Sequence, residues 1–68
     1  MILLAELRKA NGLSQSEIAR QTCMHVTTIS NIENGRLIPW PGQVEKLQAI
    51  MERFGWDGKQ DLFSEVEA

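Results

Sequence analysis

The sequence predicts an all-α domain, a small bundle of four to five short helices. Apolar residues recur at helical spacing, glycine signals close three of the periodic stretches, and no run alternates with the period of a strand. The 68 residues, 43% of them hydrophobic, read as one packed domain over 1–68. The helical pattern occupies 1–55, and 56–68 form a short acidic segment. A domain of this size has a thin stability margin and little room for a deep cleft.

Leu3, Leu4, Leu7 and Ala10 share one face, and Asn11-Gly12 stops them, so the first helix is expected over about Ile2 to Ala10. Ser14 followed by Glu17 is a capping box, which starts the second helix at Gln15 and carries it to about Gln21. Thr22, Cys23 and Met24 break the pattern. A third helix then follows from about His25 to Asn34, with Val26, Ile29 and Ile32 repeating and Asn34-Gly35 as its stop. Its β-branched run Val26-Thr27-Thr28-Ile29 has poor helix propensity but is too short for a strand reading to win. Pro41 or Gly42 opens a fourth helix, striped by Val44, Leu47, Ile50, Met51 and Phe54 and ended by Gly55. Asp61 to about Val66 is expected as a short fifth helix.

Composition excludes several classes of function. One cysteine, Cys23, rules out an internal disulfide, and one histidine, His25, has no partner at metal-ligand spacing, so no metal or other cofactor is expected. Met1 to Ala5 is apolar but is met at once by Glu6, Arg8 and Lys9, so neither a leader nor a membrane span is read there. No glycine-rich phosphate loop and no histidine beside a nucleophile points to an enzyme. The formal charge of -2 is segregated: residues 1–40 carry a net +1 and residues 41–68 a net -3. Phosphates are tolerated by the first half alone, and non-specific affinity for a polyanion should be weak.

Two short helices joined by about three residues, the second ending at Asn-Gly, form the local signature of a helix-turn-helix. The chain here resembles the phage repressor/Cro-type (XRE-like) helix-turn-helix family. The likeness lies in Leu4-Ala5-Glu6-Leu7-Arg8-Lys9-Ala10-Asn11-Gly12-Leu13-Ser14-Gln15-Ser16-Glu17-Ile18-Ala19, in Met24, in Thr28-Ile29-Ser30-Asn31-Ile32-Glu33-Asn34-Gly35 and in Pro39. It covers nearly all of residues 3–54. The resemblance implies a lambda-repressor-like fold that inserts its third helix in the major groove of double-stranded DNA, as a transcriptional repressor of bacterial or phage origin working on cytoplasmic nucleoid DNA.

The same resemblance assigns roles by position. Val26, Thr27 and Asn31 take the base-facing places, with His25 and Ser30 at their margins. Asn31 suits an adenine edge, while Val26 and the Thr27 methyl suit thymine methyls. Gln15, beside Ser14 at a helix start, matches a phosphate-holding glutamine, a reading preferred to that of an ordinary exposed first-turn residue. Asn34 and the N–H groups of Gly35 and Arg36 match a second phosphate clamp. Arg8 and Glu33 match an ion pair that fixes the third helix; whether the arginine also offers an edge to phosphate stays open. Ala19 and Ile29 support the crossing of the second and third helices. Cys23 stands where the family usually has a glycine of positive φ, so either the turn is strained or it differs.

Trp56 is expected to cap the core. Trp40, between two prolines and beside Leu37 and Ile38, forms an apolar cluster suited to a partner surface. The resemblance implies a homodimer contact near this loop, which would place a two-fold protein on a palindromic operator. The rival reading is a protein-interaction module, such as an antitoxin with a toxin partner. The polar residues Thr27, Ser30 and Asn31 favour DNA over that rival, and the acidic second half keeps it open.

Overall fold

The computed structural model describes residues 1–66. Among them lie four helices: α1 (Leu3–Ala10), α2 (Gln15–Thr22), α3 (Val26–Glu33) and α4 (Pro41–Glu52). α2 packs on both α3 and α4, and α1 packs on α4. Leu4, Ile18, Ile29, Leu47, Met51 and Leu62 are fully enclosed between them. Burying side chains of this kind stabilises by about 1.5–3 kcal/mol each. That outweighs the poor propensity of Val26 to Ile29, which are helical because Ile29 and Ile32 anchor their turns in the core.

Caps fix where the helices start and stop. Ser14 Oγ accepts the Glu17 N–H at 3.0 Å, but the reciprocal half of the expected capping box is missing. The Glu17 carboxylate turns outward instead and accepts from Arg20 and Gln21. α2 runs one residue past the expected Gln21, since the buried Thr22 hydroxyl donates back to the Ile18 carbonyl at 2.7 Å. All four helices close with a Schellman motif: Leu13, Met24, Arg36 and Trp56 each donate an N–H to the carbonyl five residues back. The residue that turns left-handed is glycine in three of them and Cys23 in α2. α4 therefore ends at Glu52, before the expected Phe54.

The expected fifth helix over Asp61 to Val66 does not form. Asp61 Oδ1 accepts the Phe63 N–H at 3.0 Å, and the Asp61 carbonyl accepts from the Ser64 N–H and hydroxyl, which closes a turn. The following backbone is committed elsewhere. Leu62 and Ser64 carbonyls accept the Leu4 and Leu3 N–H groups at 2.8 and 2.9 Å, and Val66 N–H donates to the Met1 carbonyl at 3.0 Å. Ile2 and Glu65 form an isolated antiparallel bridge. The segment thus supplies partners to the first turn of α1, whose N-cap residue Ile2 has no side chain able to do so. Trp56 lies half-buried against the core, as expected, with its indole N–H on the Gln60 carbonyl at 2.8 Å.

Candidate nucleic-acid interface

Two elements, α1 and α2, meet the end of α3 at one carboxylate. From α1, Arg8 reaches the last residue of α3: its Nε donates to Glu33 Oε2 at 2.7 Å and its Nη2 to Glu33 Oε1 at 3.0 Å. Its Nη1 donates to the Leu13 carbonyl at 2.7 Å. From the start of α2, Gln15 Nε2 donates to the same Glu33 Oε1 at 2.9 Å. One carboxylate therefore fastens α1, α2 and α3 together. Arg8 is 7% exposed with all three nitrogens engaged. Of the two readings of Arg8, the geometry favours the bracing one, for its guanidinium has almost no surface left to offer a phosphate.

The turn that aims α3 keeps the left-handed residue despite lacking glycine. Cys23 has φ 57° and ψ 37°, the one non-glycine positive φ among the described residues, and its thiol is exposed. Of the two outcomes the sequence leaves open, the strained one is realised. The bonds that hold it are Cys23 N–H to the Arg20 carbonyl and Met24 N–H to the Ala19 carbonyl, at 3.3 and 2.9 Å. Ala19, 4% exposed, lets α2 and α3 cross closely above this turn.

The outward face of α3 carries the residues expected there. His25, Val26 and Thr27 are exposed, and Ser30 and Asn31 are partly so. Among the described residues the Asn31 amide, the Thr27 hydroxyl and the His25 ring make no hydrogen bond, so their donors and acceptors are free for a ligand. Val26 is 43% exposed, an apolar side chain standing among them.

At the end of α3 the helix cap uses the backbone donors expected of a second phosphate clamp. Gly35, at φ 72°, directs its N–H to the Ile32 carbonyl and the Arg36 N–H to the Asn31 carbonyl at 2.8 Å. The Asn34 amide donates to the Ser30 carbonyl at 2.9 Å. Those backbone donors are spent on the helix end, and only the exposed Arg36 side chain remains as a cation there. At the start of α2 the situation is the reverse. Ser14 serves the Glu17 N–H, which leaves the N–H groups of Gln15 and Ser16 and the second amide hydrogen of Gln15 without protein partners among the described residues.

Beyond Gly35 the chain exposes an apolar loop, with Ile38 88% and Trp40 72% exposed and Leu37 partly so. It borders a groove of about 320 Å³ lined by Ile2, Ile32, Leu37, Ile38, Val44 and Phe63, among others. Ile2 and Phe63 enter this groove only because the C-terminal segment is stitched to α1, a placement no sequence spacing signals. The Leu13 carbonyl on Arg8 was equally hidden, since a backbone acceptor leaves no trace in residue identity.

The family model described as Helix-turn-helix matches residues 4–55, from the first turn of α1 to the glycine that ends α4. No curated protein and no solved structure matches the chain.

Proposed function

This chain belongs to the helix-turn-helix family, of the phage repressor/Cro (XRE-like) type, and from that premise we propose that it is a sequence-specific repressor of transcription. Membership makes it a DNA-binding domain. α3 enters the major groove of double-stranded DNA, as second helices of this motif do, with its first turns against the base edges. The observation that carries this is the outward face of α3, where Asn31, Thr27 and His25 hold unused hydrogen-bonding groups on a helix braced from behind. Asn31 pairs with an adenine, Thr27 and Ser30 add adaptable hydroxyls, and Val26 meets a methyl. Gln15, with the free N–H groups beside Ser14, holds a phosphate and sets the register, and Arg36 supplies a second phosphate contact.

In vitro selection from random duplex DNA at two salt concentrations tests the reading. A single enriched motif whose preference persists at the higher salt supports it. Enrichment of no motif, with affinity that vanishes as salt rises, would contradict it.

The apolar loop of Leu37, Ile38 and Trp40 beside its groove supports a second copy of the chain as partner, and hence a palindromic operator. Sedimentation that finds only monomer, with and without the selected DNA, would remove this part. A toxin seated on the same loop is the rival occupant, and it would compete with that self-association.

A further inference from the structure

Val26 is the first residue of α3 and the lone large apolar side chain exposed on that helix. An isopropyl group neither donates nor accepts a hydrogen bond, so it cannot read the polar edge of any base. The major groove has one apolar feature for it to meet, the C5-methyl of thymine. Uracil lacks that group, and 5-methylcytosine carries it at the same ring position. Thymine and 5-methylcytosine differ next to the methyl, in an O4 acceptor against an N4 donor, a difference to which an isopropyl group is blind. Its chain neighbour Thr27 does not restore the distinction, because its unpaired hydroxyl can donate to O4 or accept from N4.

We infer that Val26 makes this domain a reader of pyrimidine C5-methyl groups, so that 5-methylcytosine substitutes for thymine at the base it faces and cytosine methylation raises affinity for an otherwise poor site. The inference rests on the reading of α3 as the base-contacting helix, and it adds a consequence: sensitivity to the methylation state of DNA.

The test uses the full chain and the selected duplex, with each T·A pair of the motif replaced in turn by a uracil·A, a C·G and a 5-methylcytosine·G pair. At one position uracil should weaken binding about fourfold, the worth of one buried methyl. Cytosine there should bind more weakly than thymine, and 5-methylcytosine should recover most of the difference. Val26→Ala, at an exposed position outside the buried core, should bring the thymine-to-uracil ratio at that position to near one. Val26→Thr, which keeps one methyl, should leave an intermediate ratio. If wild type binds uracil as well as thymine at every position, the inference is wrong while the DNA reading stands. A ratio that survives Val26→Ala but disappears in Thr27→Ser would move the contact to Thr27 and overturn the assignment. Failure to select any motif would defeat the underlying reading, and the inference with it.

Discussion

At Cys23 the backbone sits at φ 57°, a conformation that costs a side-chain-bearing residue about 1–2 kcal/mol relative to its preferred regions. The thiol is exposed, so little packing offsets that cost. Cys23→Gly is expected to raise the urea midpoint, stabilising the domain by about 0.5–1 kcal/mol once the greater freedom of the unfolded glycine chain is subtracted. An unchanged or lowered midpoint would mean that the thiol makes a compensating contact. The Arg8–Glu33 pair is the opposite case, a buried ion pair with its hydrogen bonds satisfied. Arg8→Ala leaves Glu33 buried with only Gln15 to answer it, and should cost about 3–5 kcal/mol. That approaches the whole stability of so small a domain. Replacing Arg8 and Glu33 together with methionine should cost far less. Thermal denaturation of the single and double variants separates the two outcomes.

At the scale of elements, hydrophobic period and stop signals located four helices to within about two residues, because cap chemistry is local. The same local reasoning failed beyond Gly58. Leu62, Phe63 and Val66 have helical spacing, but Asp61 closes a turn and the backbone beyond it pairs with the start of α1, about sixty residues away in sequence. A competing partner that remote has no local signature. Within the site, the residue types on α3 were legible, as was the Arg8–Glu33 pair through its resemblance. The Gln15 bond to Glu33 and the capped N–H groups of Gly35 and Arg36 were not, since both depend on atoms brought together by packing. Leu62, fully enclosed, locks the segment down, and Leu62→Ala should cost about 2–5 kcal/mol by chemical denaturation. A loss below 1 kcal/mol would show that the segment contributes little to the fold.

Over the whole molecule, charge and apolar surface divide the work. The first half, with its slight positive excess, holds α2 and α3, and the acidic second half packs on α2 and α1 through α4 and on α1 through the C-terminal segment. Residues 1–40 carry a net charge of only +1, so on the proposed reading phosphate attraction is small and selectivity comes from base contacts. The network on Glu33 holds the end of α3 against α1 and α2, the fixed angle that a short base-contacting helix requires. On the proposed reading, the unpaired Asn31 amide is the group on α3 best suited to a base edge. Titration of Asn31→Ala against the selected operator and its single-base variants should show a loss of about 1–3 kcal/mol on the operator and relaxed preference at one base pair. Wild-type affinity and unchanged preference in that variant would contradict the assignment of α3 as the reading helix.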